Sequence, residues 1–194
     1  AIVAVGKQAI EQYAEYEQLV GGVETLFKTS SDKVMEYAEN AYKTAGLSAN
    51  EYMNTVTSFS ASLLQSLGGD TEAATEYANL AITDMADNAN KMGSSIDTIQ
   101  TAYAGFAKQN YTLLDNLKLG YGGTKEEMQR LIADAAKLSD TVDAQSMSFD
   151  NIVEAIHVVQ TEMGITGTTA KEAGTTIQGS VASMKSAWTN LLTG

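Results

Sequence analysis

The chain has a single histidine, His157, which stands three residues after Glu154. The spacing Glu-x-x-His puts both side chains on one face of a helix, and di-iron carboxylate bundles use it for their metal ligands. Those bundles need a second copy of the motif, and the chain has no second histidine. The Gly-x-Ser-x-Gly turn that accompanies a Ser-His-Asp triad in one large class of hydrolases is absent as well. We therefore interpret His157 as a structural residue on a helix.

A glycine-rich segment, GYGGTK at residues 120–125, precedes a predicted helix. Free N–H groups at a helix start attract anions, so the segment has the position of a phosphate-binding loop. It lacks the Gly-Lys-Ser/Thr order of such loops, and no strand precedes it. We interpret it as a flexible loop between two helices.

Three polar residues, Asp84, Asp87 and Asn90, follow one another at intervals of three. On a helix they would share one face, and their oxygens could contact a hard cation. Acidic residues on a helix are more often a solvated outer face. We expect these three side chains to face solvent, and we expect no catalytic residue, no metal site and no cofactor.

The composition restricts the classes of function. The chain has 194 residues and a formal net charge of −12, with 44% hydrophobic and 19% charged residues. The negative charge argues against direct binding to nucleic acid, whose affinity depends on cationic side chains. The hydrophobic content is sufficient for the core of one folded domain. The absence of cysteine excludes disulfides, thiolate catalysis and cysteine-ligated metal sites.

Apolar residues recur at steps of three and four along nearly the whole chain, which predicts helices, and proline is absent. The sequence therefore predicts an all-α fold, a compact domain over residues 1–194 with about eight helices and short turns rich in Gly and Asn. Predicted N-caps are Ser48, Asp70, Ser94, Thr124 and Thr169. The longest uncharged stretch, 52–69, is amphipathic, so we expect no transmembrane segment. The periodic segments are residues 2–20, 31–45, 48–67, 70–92, 94–106, 124–138, 149–163 and 169–192.

The last periodic segment, within 169–194, carries two stripes. Its apolar seam keeps the spacing of a heptad and includes Trp188, which we interpret as a core residue, with an interface anchor as the alternative. Small residues four apart form the other stripe and would let a second helix approach closely. One stripe can pack on the domain and leave the other for a partner. The candidate helix-association interface consists of Gly179, Ser183, Ala187 and Trp188.

Six strings of residues resemble the core region of phage tail tape-measure proteins, minor tail proteins of phages and prophages. Together they extend over nearly the whole chain. They have the character of family-specific strings and include no catalytic signature. The strings are YEQLVGGVETLF (16–27), AGLSANEYM (45–53), ADNANKMG (86–93), GFAKQNY (105–111), LKLGYGGTK (117–125) and EMGITGTTA (162–170).

The resemblance implies a structural virion component that sets tail length during assembly, lies in the tail lumen and is released on infection. It implies assembly in the host bacterial cytoplasm, with tail-tube and tail-tip proteins and tail assembly chaperones as partners. Self-association is a further expectation. The alternative is a cell-wall hydrolase segment of a tail protein, since some tape-measure proteins resemble carriers of such domains.

A ruler needs length, and 194 residues in one helix would span roughly 290 Å. The glycine stops and caps divide the sequence into short amphipathic helices, which must bury their apolar stripes against one another. We therefore expect a folded module of a larger tape-measure chain. Its last helix, within 169–194, would lead into the elongated region.

Overall fold

The computed structural model describes residues 2–175 and 177–193. Within these ranges the chain forms nine α-helices and no strand, which confirms the predicted all-α class. Two short 3-10 turns, Lys28–Ser30 and Leu114–Leu117, lie between helices. The helices are α1 (Ile2–Phe27), α2 (Ser31–Thr44), α3 (Ala49–Ser66), α4 (Thr71–Met92), α5 (Ile96–Phe106), α6 (Lys125–Ala135), α7 (Phe149–Glu162), α8 (Thr168–Thr175) and α9 (Ile177–Thr193).

Helix α4 is central in the fold, since it contacts α1, α2, α3, α5, α7 and α8. Its second half is buried on nearly every side. The aromatic residues of the neighbouring helices complete the core around it. Phe59 of α3 and Phe149 of α7 meet edge to face with ring centroids 5.8 Å apart, and both helices also contact α4. The largest fully buried aromatic side chains are Phe27, Tyr52, Phe59, Tyr103 and Phe106.

Helix α1 is longer than its sequence predicts. We expected it to end near Val20 because two glycines follow, but it continues without interruption to Phe27. Continuation buries Val23 and Phe27 completely, and their burial outweighs a helix-propensity cost of about 1 kcal/mol per glycine. Gly22 also lies close to α3, because a Cβ there would be 3.6 Å from the Thr57 methyl group.

The caps are confirmed in part. Ser48 and Glu51 form the predicted capping box, and the Asp70 carboxylate accepts the N–H groups of Glu72 and Ala73. The box at Ser94 is wrong, because α5 begins after Ser95, whose side chain caps nothing.

The N-caps of α6 and α8 differ from the predicted ones in which side chain accepts which backbone N–H group. Thr124 accepts the N–H of Glu127 as predicted, but the Glu127 carboxylate turns to the N–H of Gly122 instead of completing the box. The cap predicted at Thr169 is also wrong. Helix α8 begins one residue earlier, and a carboxylate of α4, Asp87, accepts the Thr169 N–H.

The C-terminal segment is a pair of helices rather than the single helix predicted for 169–192. A Cβ placed on Gly46 would lie 3.9 Å from the Thr169 methyl group. The Gly46 carbonyl accepts a hydrogen bond from the Ser186 hydroxyl at 3.1 Å. Seventeen residues of straight helix would separate Thr169 from Ser186 by about 25 Å. The chain direction therefore reverses between α8 and α9, and the two helices form a hairpin that lies against α2 and α4.

The orientation of α9 is the reverse of the one expected if its apolar seam were part of the core. The small and polar side of α9 contacts the domain, where Ser183 donates to the Tyr42 carbonyl at 3.3 Å. The apolar seam is exposed: Val181, Met184 and Trp188 have 59%, 70% and 60% of their surface accessible. The interpretation of Trp188 as a core residue is therefore wrong.

Candidate functional site

A cluster of buried polar side chains joins α4 to α7 and to the start of α8. Asp84, Asp87 and Asn88 of α4 are completely buried, as is Gln160 of α7. The expectation that Asp84 and Asp87 face solvent is therefore wrong, although Asn90 is exposed as expected. The physical reason is that α4 is surrounded by other helices near its end, and each buried carboxylate has a hydrogen-bonding partner there.

Asp84 pairs with the only histidine of the chain. The Nδ1 atom of His157 lies 3.0 Å from both carboxylate oxygens of Asp84. Burial raises the pKa of Asp84 to about 6, although the hydrogen bond to His157 opposes that rise. The same hydrogen bond raises the pKa of His157 above its ordinary value. This hydrogen bond joins α4 to α7, and His157 lies on a helix as predicted. A structural role for His157 stays a prediction.

Amide side chains extend the cluster. The Gln160 side chain donates to the Asp84 carbonyl at 3.2 Å, and its oxygen accepts from Asn88 at 2.7 Å. Asn88 also donates to the Leu117 carbonyl at 3.0 Å, which attaches the chain after α5 to α4. The arrangement has the chemistry of a structural hydrogen-bond network, in which each bond fixes the position of one helix against another.

Asp87 caps α8 from a different helix. Its carboxylate accepts the Gly167 N–H at 2.6 Å and the Thr169 N–H at 2.8 Å. The N-terminal N–H groups of a helix have no partner within the helix, and their partial positive charge favours an anion. Asp87 therefore attaches the α8–α9 hairpin to the central helix.

The Asp84–His157 pair has only part of a catalytic arrangement. A carboxylate that holds Nδ1 of an imidazole can orient it as a general base. Among the described residues, no hydroxyl is hydrogen-bonded to the other ring nitrogen of His157. The described part of the chain also contains no group of three or more His, Asp or Glu side chains that could hold a metal ion.

A carboxylate of the chain itself binds the glycine-rich loop at 120–125. The Glu127 carboxylate accepts the Gly122 N–H at 2.9 Å and pairs with Arg130, and both contacts lower its pKa to about 2. Arg130 also donates to the Gly120 carbonyl at 2.9 Å, so the loop is tied to α6 instead of being free. A Cβ on Gly123 would overlap the Thr112 carbonyl oxygen, which explains the glycine at that position.

A pocket of about 550 Å³ lies where the hairpin meets the ends of α2 and α4. Small side chains line most of it, among them Ala89, Ala173 and Ala182. The volume is in the range of small-molecule sites. The Thr169 hydroxyl, on a residue that lines the pocket, is buried without a hydrogen-bond partner.

The structure separates the four predicted association residues. Ser183 faces the domain, whereas Ala187 and Trp188 are exposed. The surroundings of Gly179 lie outside what the structure describes. Ser183 and Trp188 are therefore on different sides of α9 and do not belong to one exposed stripe. Association through the exposed residues, Ala187 and Trp188, stays a prediction.

No family model, no curated protein and no solved structure matches the chain. None of the helices in the described ranges is long and apolar enough to cross a membrane.

Proposed function

We propose that the chain is a non-catalytic module of a phage tail tape-measure protein. In this proposal it belongs to the tail, takes part in setting tail length during assembly and leaves the virion on infection. Its partners are tail-tube and tail-tip proteins and tail assembly chaperones. The proposal combines the resemblance of the six strings with one observation about where they lie in the fold.

That observation is the spatial convergence of strings that are far apart in sequence. Asp87, from the string at 86–93, caps Gly167 and Thr169, from the string at 162–170. Gly46, from the string at 45–53, lies against Thr169. Three of the six strings therefore meet at the junction that holds the α8–α9 hairpin. A family whose recognisable residues build a junction between helices is one in which the shape of the domain matters, as in an assembly component.

The net charge of the chain and the positions of the carboxylates near His157 support the same proposal. The formal net charge of −12 disfavours direct contact with DNA, which passes through the lumen of a tail. Asp84 is completely buried, and the other carboxylate near His157, Glu154, already accepts a hydrogen bond from Thr141 at 2.7 Å. A hydrolase would need a carboxylate within reach of its substrate.

The test uses the phage or prophage that encodes the chain. Deleting the segment from its parent gene should abolish tails or broaden their length distribution in electron micrographs. Leu138→Gln, a change at an exposed position outside the six strings, should leave the tails normal. Peptides of the chain should be found by mass spectrometry in intact virions and be depleted after DNA ejection. Normal tails of unchanged length after deletion would overturn the proposal.

The hydrolase alternative is tested separately on the purified chain by release of soluble peptidoglycan fragments. We expect no release above the buffer control. Measurable release that Glu154→Gln abolishes would reverse the assignment.

A further inference from the structure

Helix α9 presents its apolar side to solvent. Val181, Met184, Trp188 and Leu191 fall at helical spacing on one side of α9 and are 59%, 70%, 60% and 69% exposed. Isolated exposed hydrophobic residues are common on protein surfaces, but a continuous apolar stripe this large marks an interaction site.

The polar contacts on the opposite side hold α9 in this orientation. Ser186 donates to the Gly46 carbonyl at 3.1 Å, and the Asn190 side-chain oxygen accepts the Ala49 N–H at 2.8 Å. Rotating α9 to bury its apolar side would break these bonds and leave buried backbone groups without partners, which is costly. The apolar stripe is therefore free to contact a partner.

Helix α1 contacts α9 and carries exposed apolar residues of its own. Ala49 contacts Asn190 of α9, and the next residue, Asn50, donates to the Gln12 carbonyl of α1 at 3.2 Å. The two helices therefore lie side by side at this end, within roughly one helix diameter. Ile10 and Tyr13, within two residues of Gln12 in α1, are 71% and 48% exposed. We define the α1/α9 patch as Ile10, Tyr13, Val181, Met184, Trp188 and Leu191.

The two halves of the patch differ in charge. Helix α9 contains Lys185 and no acidic residue, whereas α1 contains Lys7 and four glutamates. Lys185 flanks the apolar stripe of α9 and is exposed. Glu17 is exposed four residues after Tyr13, on the same side of α1. The α9 half of one patch is therefore complementary to the α1 half of another.

The area of the patch fits a stable pair. Six large side chains that are 48–71% exposed present on the order of 100 Å² each, about 600 Å² in all. With the polar rim that surrounds any such patch, the area approaches the roughly 800 Å² per partner of a standard interface.

We propose that two copies of the chain associate through the α1/α9 patch, with α9 of each copy against α1 of the other. A two-fold axis makes this contact self-complementary, so it closes as a dimer without further growth. Lys185 of each copy then lies near Glu17 of the other. The proposal does not depend on the tape-measure assignment.

The first experiment is sedimentation velocity of the purified chain from about 1 µM to about 1 mM, a range in which a standard interface is occupied. We expect a reversible monomer–dimer equilibrium. Met184→Glu should raise the dissociation constant roughly tenfold or more, since it places a charge in the centre of the interface. The matched control is Met163→Glu, an equally apolar exposed position at the end of α7, which should leave the equilibrium unchanged.

The second experiment tests the charge pairing. Lys185→Glu and Glu17→Lys should each weaken the dimer by roughly two- to tenfold, because a two-fold interface contains each pair twice. The double variant should recover most of the wild-type affinity, and high salt should reduce all of these differences. Lys108→Glu, an exposed change elsewhere, is the control.

Trp188 supplies an independent signal, because it is the only tryptophan of the chain. Its fluorescence should shift to the blue with increasing concentration, in parallel with dimer formation, as water leaves the indole ring. A wild-type chain that is monomeric at about 1 mM would overturn the proposal, and the patch would then bind a different molecule. A dimer unaffected by Met184→Glu would overturn it as well.

Discussion

Replacing Asp87 by alanine tests whether one buried carboxylate holds the α8–α9 hairpin to the domain. The substitution leaves the N–H groups of Gly167 and Thr169 without their acceptor. An unsatisfied donor costs about 1–3 kcal/mol, with the lower value for Gly167, which water can reach. We therefore expect the free energy of opening the hairpin to fall by about 2–4 kcal/mol.

The matched control is Asp70→Ala at the start of α4. Asp70 also accepts two backbone N–H groups, at 3.0 Å each, but it is exposed. Water replaces the lost acceptor there, so the expected cost is about 1 kcal/mol. Comparing the two variants separates the effect of burial from that of helix capping.

Hydrogen–deuterium exchange is the direct assay. In Asp87→Ala, amide exchange in α8 and α9 should accelerate by about 30- to 1,000-fold, because each 1.4 kcal/mol corresponds to tenfold. Exchange in α3 and α7 should change little. Equal effects of the two substitutions, or faster exchange spread evenly over all helices, would refute the role assigned to Asp87.

Three further predictions concern the pH dependence, the glycine-rich loop and α1. The pKa of Asp84 is about 6 in the fold, above its ordinary value of 3.8, and that of His157 is also raised, so both groups make the chain less stable as the pH rises through these values. The free energy of unfolding measured in urea should fall by on the order of 1–3 kcal/mol between pH 5 and pH 8, and Asp84→Asn should reduce this fall. A variant whose free energy of unfolding falls as much as that of the wild type would contradict the pairing. Gly123→Ala should lower the free energy of unfolding by about 1–3 kcal/mol, because its Cβ overlaps a backbone oxygen, whereas Gly122→Ala should be tolerated. Phe27→Ala should cost about 3–5 kcal/mol in the same assay, and a cost below about 1 kcal/mol would mean that α1 does not reach the core.

The helices were predictable because their signals are local. The capping box of Ser48 and Glu51 lies within four consecutive residues, and the apolar steps of α3 and α7 repeat along a single helix. The end of α1 was not predictable in the same way. Two glycines favour a stop, and only the burial of Phe27 against other helices decides that the helix continues.

The polar site depends on pairs that are distant in sequence. Asp84 meets His157 across 73 positions, and Asp87 meets Thr169 across 82. The spacing of the acidic residues in α4 is the same for a solvated face and for a buried one. A single histidine needs a partner if it is buried, but carboxylates occur in most of the helices, so the sequence does not indicate which one pairs with His157.

The polar attachment of the hairpin has a thermodynamic consequence. None of the described residues of α8 is buried, and the contacts of α9 with the domain include the hydroxyls of Ser183 and Ser186. Lifting the hairpin therefore breaks these hydrogen bonds and hydrates less hydrocarbon than global unfolding does, so its heat-capacity change and its denaturant m-value are smaller. The large heat-capacity change and m-value belong to global unfolding, which exposes Phe59, Tyr103 and the rest of the core. The chain thus has a peripheral opening that responds weakly to urea, and a global unfolding that responds steeply.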